Sequence, residues 1–168
     1  YSLGSNPSVA ILMSAIEHFR LNAIVGFPPT LIPILKLVKE KIPEFKLQKL
    51  MYAGSKLSEV DRNWLVTKLG CEVIVSVIGT TEANHVAYQC AKQFGTNLHH
   101  TCDDYNYVEI VDSNGVCVSS GEYGRMVVTN LHKTTIPVIR YINGDKASWV
   151  SKPCECGRKD RVIDYQGR

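Results

Sequence analysis

The sequence predicts an α/β fold: a parallel-type sheet with flanking helices, followed by a small β-rich subdomain. Three observations carry that expectation. Apolar strand-like runs alternate with helix-period segments up to Gly79, helical periodicity then gives way to short strand-like runs, and 45% of the 168 residues are hydrophobic, enough for a real core.

Asn6-Pro7 reads as an N-cap followed by proline at the first helical position, and Val9, Leu12, Met13 and Ile16 recur at helical spacing to about Arg20. Asn22 to Gly26 reads as a short buried strand, closed by a turn at Pro28-Pro29. From Thr30, the positions Leu31, Ile34, Leu35 and Val38 predict a second helix, with Pro33 in its first turn and Pro43 beyond its end. Leu47 to Tyr52 is a further strand. Ser58 then caps a helix carrying Val60, Trp64, Leu65 and Leu69, which Gly70 ends before a strand from Cys71 to Val77.

Beyond Gly79 the expected strands are Tyr107 to Asp112, Val116 to Val118, Arg125 to Asn130 and Val138 to Tyr141. Ser113-Asn114-Gly115 has the residues of a tight turn, so Tyr107 to Val118 reads as a β-hairpin. The expected organisation is an α/β part over residues 1–82 and a β-rich part over 83–168 of the same domain.

Composition removes some classes of function. The net charge of +3 comes from 19 basic and 16 acidic residues spread along the chain, without the dense basic stripe of a nucleic-acid binder. The longest apolar runs, Ala23 to Phe27 and Leu31 to Leu35, fall far short of the roughly 20 residues that span a bilayer. No secretory leader pattern is present, and a cytoplasmic protein is expected.

Of the six cysteines, Cys71 and Cys117 lie in apolar runs that suit buried thiols, while Cys90, Cys102, Cys154 and Cys156 lie in polar surroundings. Cys90, His99 or His100, Cys154 and Cys156 make a ligand set of the type and number of a closed tetrahedral zinc site. The alternative is free thiols and hydrogen-bonded histidines, and either His99 or His100 suits the ligand role.

The segment Ile78-Gly79-Thr80-Thr81-Glu82 ends a buried strand, where open α/β sheets commonly bind ligands. A carboxylate at Glu82 can hold Mg²⁺ against substrate phosphates; the plainer reading is a strand end and a cap. Company sharpens the choice. Gly121-Glu122-Tyr123-Gly124-Arg125, Val127-Val128-Thr129-Asn130-Leu131, Pro137-Val138-Ile139-Arg140-Tyr141, Gly144-Asp145, Cys154-Glu155-Cys156-Gly157-Arg158 and Gly167-Arg168 follow in order.

That ordered series resembles the adenylate-forming superfamily, and the Cys-x-Cys-Gly-Arg element with Leu98-His99-His100 resembles its phenylacetate–CoA ligase branch. The likeness covers nearly the whole chain and is strongest from Ala53 onward. It implies a fragment of an acid ligase that adenylates a carboxylic acid, aryl or acyl, with Mg-ATP and passes it to coenzyme A.

Small-molecule partners are therefore expected, a carboxylic acid and a nucleotide, with no nucleic acid and no membrane. By the same resemblance, Glu82 is the Mg²⁺ carboxylate, Thr81 lies near the α-phosphate, and Asp145 accepts from the ribose hydroxyls. Ala53-Gly54-Ser55 lies along the adenine, with Ile78, Gly79 and Thr80 lining the nucleotide, and Arg168 belongs to a hinge motif that also contacts it.

Two departures stand out: Ile78 replaces an aromatic residue that stacks on adenine, and Ile142-Asn143 replace the usual residues before Asp145. The family's phosphate loop and its C-terminal lid domain are not among these residues, so a partial large domain is expected. Two further readings remain: an adenylating enzyme with another acceptor, and a non-catalytic nucleotide-binding or scaffold module.

Overall fold

The structure is a computed structural model, and it describes residues 2–4 and 7–168. The chain divides into two compact units, Tyr1–Ser76 and Val77–Arg168.

In the first unit, α1 (Val9–Phe19) starts at Ser8, whose hydroxyl accepts from the Ile11 amide, and ends at Arg20 in the left-handed region. The expected cap at Asn6 lies outside the described residues. Leu12, Ala15 and Ile16 are its buried face. Helix α2 (Pro28–Lys41) begins two residues before the expected start. Pro28 and Pro29 form its first turn, where a missing N–H costs nothing, and Leu31, Ile32, Leu35 and Val38 are buried.

Strands β1 (Ala23–Gly26), β2 (Lys49–Tyr52) and the first half of β3 (Val73–Thr80) pair in parallel, with Ile24, Leu50 and Ile74 in register. Among the described residues the strand expected to be buried, β1, is paired on one side only, and Val25 is 73% exposed. Ser58 caps α3 (Glu59–Trp64) as expected, its hydroxyl accepting from the Asp61 amide. From Leu65 to Leu69 the helix widens to π geometry, ending at Gly70. Leu65 and Leu69 are fully buried, while Val60, expected on the apolar face, is exposed.

The second unit is antiparallel throughout. The second half of β3 pairs with β4 (Asn84–Tyr88), followed across the sheet by β5 (Leu98–Thr101), β9 (Val162–Gly167), β8 (Tyr141–Val150), β7 (Gly124–Asn130) and β6 (Asn106–Val111). Its core gathers Ile78, Ala83, Val86, Ala87, Val108, Ile110, Met126, Val128, Ala147 and Ile163.

Two expected strands are absent here. Val116 to Val118 contributes one isolated bridge, Val111 to Cys117, so the Asp112–Gly115 turn returns without forming a ladder. Its thiol is exposed, against the expected burial of Cys117. Val138 to Arg140 is irregular because Arg140 has φ 49° and its amide donates to the Thr129 hydroxyl, so the strand starts at Tyr141. Among the described residues no helix is long and apolar enough to cross a membrane.

Gly79 illustrates why its position is glycine. It lies at a β-bulge opposite β4, and a Cβ there would stand 2.8 Å from the Asn84 carbonyl oxygen. The requirement is close approach of two strands, and no tight turn occurs at Gly79 itself. Gly79→Ala should destabilise the chain by about 1–3 kcal/mol, because backbone and not a flexible side chain stands in the way. Urea unfolding of the two chains measures it; equal midpoints would show that the bulge relaxes freely.

Candidate functional site

The turn between β3 and β4 presents Thr81 and Glu82 at its tip, both exposed. It is tightly held from below. The Thr80 hydroxyl accepts from the Ala83 amide at 2.9 Å, and Asn84 takes φ 60°. The Lys133 ammonium donates to the carbonyls of Thr81 and Glu82, at 3.3 and 2.8 Å.

Asn106, fully buried, donates through Nδ2 to the carbonyls of Ala83 and His85, and accepts from Asn130 at 3.0 Å. Asn130 also donates to the Ala83 carbonyl, and its Oδ1 accepts from the amides of His132 and Lys133. Asn106, Asn130 and Lys133 are thus positioning residues for the tip. The sequence reading missed these roles, although Asn130 sits in one of the quoted motifs.

Ile78 is 6% exposed and packs in the core cluster. At this position, expected to line the nucleotide, only the backbone remains to face a ligand. The reason is strand alternation, which turns Ile78 inward and leaves Gly79 exposed.

Asp145 occupies an inward position of β8 and is 7% exposed. Its Oδ2 accepts from Asn143 Nδ2 at 3.0 Å, while the Asp145 amide donates to Asn143 Oδ1. The unusual Asn143 is therefore the residue that orients the aspartate. Tyr165 also hydrogen-bonds the carboxylate, and the exposed Arg168 guanidinium stands 3.6 Å away. Burial raises the Asp145 carboxyl above its usual range, more than Tyr165 and Arg168 lower it. Burial and the same carboxylate push the Tyr165 hydroxyl up to about 12. No hydrogen bond joins this group to the Thr81–Glu82 tip among the described residues.

In the first unit, Ala53-Gly54-Ser55 follows the end of β2, with the Ala53 amide donating to the Gly26 carbonyl. Gly54 has φ 79°, and a Cβ would meet the Phe27 ring at 2.8 Å, so the loop and the ring depend on its being glycine.

The thiols and one histidine also come together. Ligand atoms of Cys90, His100, Cys154 and Cys156 all lie within 4.8 Å of one another. His99 is not among them. Alternation along β5 sends it to the other face, where Nδ1 meets the Asn97 carbonyl at 2.8 Å and the ring packs edge-on against Tyr165. Burial lowers its pKa to about 4, so His99 is neutral.

Comparison with protein-family profiles finds no match, and no curated protein matches. Solved structures do. With 2-hydroxyisobutyryl-CoA ligase in complex with 2-HIB-AMP and CoA in the thioesterification state, the likeness covers 100% of this chain and 37% of that one, at TM-score 0.83 and 19% identity. For a benzoate CoA ligase from Burkholderia xenovorans LB400 it covers 97% and 34%, at TM-score 0.64 and 20% identity. For the apo structure of Mycobacterium smegmatis MbtA it covers 98% and 32%, at TM-score 0.69 and 18% identity.

The class defined here is one of fold. This chain has the fold that solved CoA ligases have over part of their length, which is what the resemblance to adenylate-forming enzymes predicts. It spans about 35–39% of the 2-hydroxyisobutyryl-CoA ligase chains.

Proposed function

We propose that this chain is part of an ATP-dependent acid ligase of the phenylacetate–CoA ligase type, which adenylates a carboxylic acid and transfers the acyl group to coenzyme A. The observation that carries the reading is the likeness, along the full chain, to a ligase solved with 2-HIB-AMP and CoA. Residues 1–82 and 83–168 are then the α/β and β-rich parts of one large domain, with Gly167-Arg168 at the hinge to a lid. The cytoplasm, which supplies both ATP and coenzyme A, suits this reading.

The residue roles follow from chemistry. Asp145, held by Asn143 and Tyr165, offers oriented acceptor oxygens to the two ribose hydroxyls. The backbone of Ile78, Gly79 and Thr80 offers peptide groups to the nucleotide, and the loop Ala53-Gly54-Ser55 is by itself the segment assigned to the adenine. Thr81 donates its hydroxyl to the α-phosphate, and Arg168 reaches the nucleotide from its exposed position beside Asp145.

Glu82 supplies an exposed carboxylate, the hard oxygen donor that Mg²⁺ takes beside substrate phosphates. Bound there, magnesium neutralises phosphate charge. The protein's own contribution is orientation and charge stabilisation, with no enzyme nucleophile.

Core burial of Ile78 favours one second reading, a module that binds nucleotide without chemistry, since position 78 offers no aromatic face to a purine. ATP–pyrophosphate exchange by the full-length parent, with a panel of aryl and acyl acids, separates the two. Exchange above the acid-free level is expected with at least one acid. Nucleotide binding without exchange across the panel would establish the module instead.

A further inference from the structure

The cluster around Cys154 and Cys156 includes none of the residues assigned above to the nucleotide, yet it is built in detail. Cys90 Sγ and Cys154 Sγ are 3.7 Å apart, and Cys156 Sγ is 3.3 Å from His100 Nε2. Ligands at the usual zinc distances and tetrahedral angles stand about 3.8 Å apart for two sulfurs and about 3.5 Å apart for sulfur and nitrogen. A disulfide needs about 2.05 Å, so the Cys90–Cys154 separation is that of two ligands sharing an ion.

The backbone is shaped for the same purpose. Cys154 to Gly157 is a tight turn between β8 and β9, with the Gly157 amide donating to the Cys154 carbonyl and Gly157 at φ 80°. The Cys156 amide donates to Cys154 sulfur and the Arg158 amide to Cys156 sulfur. Both sulfurs lie within 4.8 Å of the other two donor atoms, so the close Cys-x-Cys spacing can supply two ligands.

From the other side, Gln93 Oε1 accepts from the Cys90 amide and fixes the segment after β4. His100, fully buried, stacks on Tyr88 at 5.4 Å, and the Tyr88 hydroxyl donates to Asp160 at 2.7 Å.

We propose that Cys90, His100, Cys154 and Cys156 bind one zinc ion as a closed structural site. Three thiolates and one imidazole fill a tetrahedron and leave no position for substrate, which excludes a catalytic role for the ion. Binding displaces three thiol protons to solvent, the sulfurs and the neutral imidazole supply the four electron pairs, and no redox step is involved. Soft thiolate donors in this number select zinc over magnesium or calcium. The ion joins segments 64 residues apart, Cys90 and Cys154, and so ties the end of β4 and strand β5 to the turn that leads into β9. The site stands apart from the ligase reading and survives its failure.

The test is elemental analysis of the chain purified under reducing conditions without chelator. About one zinc per chain is expected, falling to background in Cys156→Ser and kept in Cys102→Ser, whose thiol lies outside the set. Because Cys156→Ser can fail to fold, cobalt(II) is also titrated into the metal-stripped unaltered chain. Thiolate-to-cobalt charge-transfer bands with intense tetrahedral d–d absorption are expected. Lack of both zinc and the cobalt bands, full occupancy by another metal, a Cys90–Cys154 disulfide in the isolated chain, or zinc retained by folded Cys156→Ser overturns the proposal.

Discussion

Asn106→Leu should lower stability by about 2–5 kcal/mol, one of the two largest effects expected of any single substitution here. The side chain is fully buried, and its amide nitrogen serves the carbonyls of Ala83 and His85 while its oxygen serves Asn130. Leucine fills a similar volume but takes the Asn106 donor from the His85 carbonyl, one of two side-chain donors from the Ala83 carbonyl, and leaves the Asn130 amide with the Ala83 carbonyl alone; a buried polar group that loses its partner costs its desolvation.

The amide orientation is set by the network, since both acceptors face the nitrogen and the neighbouring Asn130 has its own oxygen engaged by two backbone amides. Urea unfolding followed by circular dichroism measures the loss. A change below about 1 kcal/mol would mean that water replaces the asparagine at that place. The substitution should also loosen the Thr81–Glu82 tip, so ATP affinity in the presence of Mg²⁺ should fall more than AMP affinity without it.

Asp145→Ala carries the second large effect, on binding. Loss of charge-assisted hydrogen bonds to a ribose diol should cost about 1–3 kcal/mol, roughly 5- to 150-fold in affinity. Calorimetric titration with adenosine reads the sugar contact without phosphate, and unchanged affinity removes Asp145 from the site.

The acid limb gives a second reading on the same residue. Its carboxyl titrates above the ordinary range because burial disfavours the charge. As pH falls through that raised value the acceptor is lost, so adenosine affinity should drop. Protonation also relieves a buried charge, so this group's contribution to folding stability should rise over the same fall in pH, fully gained below the unfolded value. Opposite movement of the two curves in the native chain, absent in Asp145→Ala, is the expected signature.

Much of the architecture was legible where one period dominates a segment. The helix around Leu31 to Val38 and the strands Leu47 to Tyr52 and Arg125 to Asn130 carry clean patterns, and Ser58 caps a helix as its residue type suggests. Legibility failed in β4, β5, β8 and β9, which contain His85, His99 and His100, Gly144 and Asp145, and Asp164 and Gly167, residues whose own preferences do not favour strands. Their pairing comes from neighbours distant in sequence. Even Ile78, placed correctly at a strand end, turns its side chain into the core.

What the sequence determined by itself is the order of chemistry along the chain: a strand ending at Gly79-Thr80-Thr81-Glu82, an aspartate after glycine at 145, and four thiol or imidazole donors at compatible positions. Tertiary structure alone decided which of those groups meet. It chose His100 over His99, because adjacent residues of a strand face opposite sides and only one side holds Cys90, Cys154 and Cys156. It made Asn143 the partner of Asp145, and it made Asn106 the support of the Glu82 turn through hydrogen bonds between segments more than 20 residues apart, whose geometry exists only once the chain has folded.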